Sequence, residues 1–62
     1  MMTMTQTHSN TFQVTVDGQW AGDVWSAGQW WVAMDFDGDT EPGFDSMLSA
    51  ARFVREMRRH AR

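Results

Sequence analysis

Four carboxylates stand at alternate positions just beyond an apolar stretch: Asp35, Asp37, Asp39 and Glu41 follow Trp30-Trp31-Val32-Ala33-Met34, and Asp45 comes after a Pro-Gly pair. Carboxylates crowded in this way do one of three kinds of work. One of them attacks or protonates a substrate, several of them hold a cation, or all of them present a row of negative charge. In an extended chain residues i and i+2 lie ~6.5 to 7 Å apart, about twice the ~3.4 Å rise between phosphates on one DNA strand. The row therefore has a spacing that a phosphate-binding groove accepts. Acidic loops also serve simply to keep a protein in solution.

For catalysis, the stretch VAMDFDG resembles the first motif of haloacid-dehalogenase-type phosphatases, an apolar strand ending in Asp-x-Asp-Gly. That resemblance makes Asp35 the nucleophile and Asp37 its companion. The Thr expected after the glycine is Asp39 here, and the lysine such a site needs is missing from a chain that contains none. For calcium, Asp35, Asp37 and Asp39 imitate positions 1, 3 and 5 of an EF-hand loop. Glycine falls at the fourth place instead of the sixth, and the twelfth is Ser46 instead of a bidentate Glu. Ser26, Ser46 and Ser49 have no histidine near in sequence, His8 and His60 sit toward opposite ends, and Cys and Tyr are absent. The expectation is no enzyme, no catalytic residue, no cofactor and no metal site.

Charge is segregated along the chain. Residues 1–51 hold seven of the eight acids and no Lys or Arg, whereas residues 52–62 hold five Arg and Glu56; the net charge is −3. Each pole is a candidate footprint for a charged partner. Sixty-two residues suit one small domain, which hides only ~60% of the surface of its unfolded chain and leaves no depth for a large cleft. No apolar run approaches the ~20 residues of a membrane span, and the Thr-rich start lacks the order of a signal peptide. A soluble, intracellular protein is expected.

The elements that must carry these residues follow from periodicity. Residues 1–10 read as a flexible leader. TFQVTV, 11–16, alternates Phe12, Val14 and Val16 against Gln13 and Thr15, and Asp17-Gly18 makes a tight turn. A second strand over about 19–26 puts Trp20, Gly22 and Val24 on one face and Ala21, Asp23 and Trp25 on the other. Ala27-Gly28 turns into a third strand, about 29–36, with Trp30, Val32, Met34 and Phe36 on one face and Trp31, Ala33 and Asp35 opposite. Gly38, Pro42 and Gly43 break the pattern. From about 44 to 60 a helix gathers Met47, Ala50, Phe53, Val54, Met57 and Ala61 into one apolar stripe. The predicted fold is α+β, a three-stranded antiparallel meander packed against one C-terminal helix (β-β-β-α), in a single domain over 1–62. Trp20 and Trp30 would face the helix, sending Trp25 and Trp31 to the far side as a stacked shield or as a partner surface.

A very small, cysteine-free, aromatic-rich protein with an acidic, lysine-free body resembles the phage-encoded inhibitors known as anti-CRISPR proteins. The residues that carry the resemblance are Asp17, Asp23, Asp35, Asp37, Asp39, Glu41 and Asp45. The resemblance is one of size, charge layout and architecture. It implies a DNA mimic of a type I system, subtype I-C being the first to name, that binds a Cascade-type effector subunit in the host bacterial cytosol and blocks target DNA. The partner-binding set would be Asp23, Asp35, Asp37, Asp39, Glu41, Asp45, Trp25 and Trp31, on a monomer or weak dimer that binds neither DNA nor membrane. The alternative is a small nucleic-acid-binding regulator that uses Arg52, Arg55, Arg58, Arg59 and Arg62 of the helix. A third reading is a structural phage or plasmid protein that dimerises through Trp25 and Trp31.

Overall fold

The computed structural model describes residues 1–60; Ala61 and Arg62, assigned above to the apolar stripe and the arginine row, lie outside the described residues. The chain forms β1 (Met2–His8), β2 (Thr11–Val16), β3 (Gln19–Ala27), β4 (Trp30–Asp35), β5 (Thr40–Phe44) and α1 (Met47–Arg59). All five strands join one antiparallel sheet in the order β1-β2-β3-β4-β5, and α1 packs across one of its faces. The α+β class and the C-terminal helix are as expected, but the sheet has five strands instead of three. The stretch assigned to a leader is β1, whose Met2 and Met4 alternate with Thr3 and Thr5 and pack beside the core. Its Met2 is opposite Val16 and its Met4 opposite Val14. The other added strand, β5, contains Pro42 and Gly43, residues that usually interrupt pairing. An edge strand tolerates them where the register slips, and it slips here between Trp31 and Ala33.

Sharp connections set which side chains share a face. Asp17 and Gly18 both take positive φ, 53° and 83°, the backbone of a two-residue turn that matches strand twist. Across the next turn, Ala27 is opposite Trp30, so Gly28 and Gln29 form the connection. Helix α1 is capped by Ser46, whose Oγ accepts the Ser49 N–H at 3.1 Å, and so starts at Met47, after β5, instead of at residue 44.

The core lies between the sheet and α1: Val14, Ala21, Val24 and Ala33 against Ala50, Ala51 and Val54, all fully buried. Phe12, Val16, Trp31, Phe44, Met47 and Phe53 close its margins. Phe44 and Phe53 meet at 5.3 Å between ring centroids, and Phe12 meets Trp31 at 6.1 Å. Two face assignments are therefore reversed. Trp30 is 47% exposed and Trp20 40% exposed, both away from the helix, while Trp31 turns inward. For Trp20 the cause is a bulge: Val14 is opposite Gly22 but Thr15 is opposite Trp20, so Ala21 is an extra residue and alternation resets there. For β4 the cause is the two-residue turn itself, which pairs even with odd positions, Val24 with Ala33 and Ala27 with Trp30, so the face that holds Val24 takes Trp31, Ala33 and Asp35. Met57, expected in the stripe, is 40% exposed.

Candidate functional site

The acidic stretch divides by burial. Asp35 ends β4 and is 3% exposed. Its Oδ1 accepts the backbone N–H groups of Asp37 at 2.9 Å and Asp39 at 3.1 Å. Its own N–H donates to the Asp39 carbonyl at 2.9 Å, and its carbonyl accepts from Gly38 N–H at 3.0 Å. Four bonds thus fold residues 35–39 around one carboxylate, in the manner by which Asp side chains organise turns. Asp35 belongs to the interior of the turn, and its expected place on a contact surface is corrected accordingly. Asp35→Ala strips two N–H groups of their acceptor, and each bond to a charged group contributes about 1.5 to 3 kcal/mol. Urea unfolding should show a loss of about 2 kcal/mol or more for Asp35→Ala, with Asp35→Asn, which keeps an acceptor, losing less.

Asp37, Asp39, Glu41 and Asp45 are exposed. Asp45 accepts a bond from Ser49 Oγ at 3.2 Å, beside the helix cap. None of the four takes part in an ion pair among the described residues, where the pairs are the Met1 ammonium with Asp17, and Glu56 with Arg59 and His60. No three described His, Cys, Asp or Glu side chains converge as a metal site. Asp23 is elsewhere, on the helix-free face of the sheet, where its Oδ1 accepts Trp20 Nε1–H at 3.1 Å. Trp25 shares that face, opposite Val32 in the β3–β4 pair. Trp31 does not, so the two tryptophans assigned to one partner surface stand on opposite sides of the sheet.

The arginines of α1 are partly committed within the fold. Arg58 Nη2 donates to Gln19 Oε1 at 2.6 Å, and its guanidinium lies 4.9 Å from the centroid of Phe36. That contact ties the end of α1 to the residue preceding Asp37. Arg59 pairs with Glu56 at 3.3 Å, and Arg55 Nε is buried without a hydrogen-bond partner. Arg52 is left exposed on the far side. A continuous five-arginine row is not what the described part of the helix presents.

An apolar groove of about 370 Å³, which the sequence did not make evident, lies on the helix-free face, lined by Ala27, Trp30, Val32, Pro42 and Gly43. Its signal is the even spacing of Trp30 and Val32, a face that the sequence expectation turned toward the helix. Fold and surfaces together define a small α+β protein with a helix-covered sheet, an open aromatic face and an exposed acidic hairpin. Comparison with family models, curated proteins and solved structures finds no match to this chain. No described helix is long and apolar enough to cross a membrane.

Proposed function

We propose that this chain is a non-enzymatic inhibitor that binds a bacterial type I CRISPR effector complex through the acidic β4–β5 hairpin and occupies the place of target DNA. The observation that carries this reading is the disposition of Asp37, Asp39, Glu41 and Asp45: all four are exposed and outside the described ion pairs. Around Asp35 the turn is tightly bonded, so the charges at Asp37 and Asp39 are held on a defined backbone. Pre-ordered charges bind at lower entropic cost than charges on a mobile tail. The engagement of Arg58 by Gln19 and Phe36 takes one cation out of the helix row and favours the acidic surface over the helix as the contact.

The test is binding to a purified type I effector complex, with target duplex as competitor. Replacing Asp37, Asp39 and Glu41 by Asn, Asn and Gln keeps shape and removes three charges. Binding should weaken at least tenfold, mainly through the association rate, and wild-type binding should fade as salt rises because exposed charges are screened beyond ~8 to 10 Å. Stability should change by no more than about 0.5 kcal/mol. A triple variant that binds as tightly as wild type at low and high salt alike sinks the proposal.

A further inference from the structure

The helix-free face carries a second charge arrangement, separate from the hairpin. Along β3, Asp23, Trp25 and Ala27 point to that face, opposite Met34, Val32 and Trp30 of β4. The groove occupies the Ala27–Trp30 end, and the pair formed by Trp20 and Asp23 occupies the other. The bond from Trp20 Nε1 uses one oxygen of Asp23 and leaves Oδ2 as an acceptor beside the indole. No Lys or Arg precedes residue 52, so no strand supplies Asp23 with a counter-charge. The described helix arginines cannot supply one either, because α1 packs on the opposite face, where Arg58 meets Gln19 and Phe36.

We propose that this face binds an extended, proline-rich segment of a partner protein that carries an arginine. Flat tryptophans beside a shallow apolar groove suit the polyproline II helix, which brings its prolines preformed and loses little entropy on docking. The guanidinium stacks on Trp20 and donates to Asp23 Oδ2, a pairing of aromatic face and carboxylate that a planar cation satisfies better than an ammonium. Spacing supports the arrangement. Polyproline II rises 3.1 Å per residue with three residues per turn, so positions i and i+3 lie about 9 Å apart on one side. On the sheet, Asp23 is two residues from Trp25 and four from Ala27, about 7 and 13 Å along the strand, which brackets that distance. The segment then sets proline in the groove and arginine three residues away. A second copy of this chain fits less well: face-to-face packing sets Asp23 against surroundings with no cation.

Tryptophan fluorescence with a synthetic polyproline peptide bearing one arginine three residues from a proline provides the test. Saturable quenching or a spectral shift is expected with wild type. The same peptide with citrulline in place of arginine, and wild-type peptide with Asp23→Asn, should each bind at least tenfold more weakly. Asp23→Asn retains an acceptor for Trp20 Nε1–H, so its thermal midpoint should match wild type. Trp30→Ala should weaken both the arginine and the citrulline peptide by a similar factor. Absence of saturable binding overturns the proposal, as does equal affinity for arginine and citrulline peptides. A concentration-dependent dimer in which the face is protected also overturns it, in favour of self-association.

Discussion

Gly22→Ala should strip the protein of much of its stability and sharply lower its thermal midpoint. A Cβ built at Gly22 lies 2.1 Å from the Met34 carbonyl oxygen and 2.8 Å from Val54 Cγ1, with backbone on one side and a fully buried side chain on the other. The backbone there has φ of 156°, outside the range that side chains readily adopt. Relief requires β3 to part from β4 or α1 to lift from the sheet, and both movements open the same core. Overpacking and backbone strain each cost about 1 to 3 kcal/mol, so a loss of about 3 to 5 kcal/mol is expected. A chain of this length has only about 3 to 9 kcal/mol of stability at the usual ~0.05 to 0.15 per residue. Circular dichroism should show a lost or far lower thermal transition; a midpoint within a few degrees of wild type contradicts the close approach of α1 to β3.

Trp31→Ser should be nearly as damaging, and Trp30→Ser almost harmless, although the two residues are adjacent. Trp31 packs with Phe12, sits opposite Phe44 and borders the buried cluster. Truncating it leaves a void at the open end of the helix-sheet interface, at an expected cost of about 3 kcal/mol. Trp30, half exposed above the groove, should change stability by less than about 1 kcal/mol. Guanidinium unfolding of the two variants separates them, and the reverse order would mean that β4 presents its other face to α1.

That pair of variants also shows what the sequence made legible. Strand identity was readable in β2, β3 and β4 because alternation and the Asp17-Gly18 and Gly28 turns agree. The orientation of β4 follows from the same turn: whether it is Ala27-Gly28 or Gly28-Gln29, a two-residue connection pairs even with odd positions, so Val24 shares its face with Trp31 and Ala33, and grouping Val24 with Trp30 contradicts the turn itself. Trp20 was misplaced for a different reason: the bulge at Ala21 resets alternation, and its clue was the lone Gly22 inside a strand pattern. In β1 the Met-Thr alternation is masked because threonine-rich polar stretches look unstructured, although β-branched threonine suits a strand. Among the candidate contact residues, Asp37, Asp39, Glu41 and Asp45 are exposed. Asp35 shares their spacing but has a buried, bonded carboxylate, and spacing alone cannot distinguish a residue that caps a turn from one displayed on it.

The order of the strands shapes how the molecule comes into being during synthesis. Each strand pairs with its neighbour in sequence, so the sheet is assembled from successive hairpins whose short loops close at small entropic cost. Hairpins of this kind form in ~1 to 10 μs, far faster than translation at ~5 to 20 residues per second. Yet the helix that covers Val14, Val24 and Ala33 is made only after all five strands. Until Ala50, Ala51 and Val54 are free of the ribosome, the growing sheet has its apolar face bare and no partner element within the chain to cover it. The core therefore closes only once α1 has emerged, and the interval between the last strand and the helix is when a nascent chain of this protein is most exposed to aggregation and to capture by chaperones.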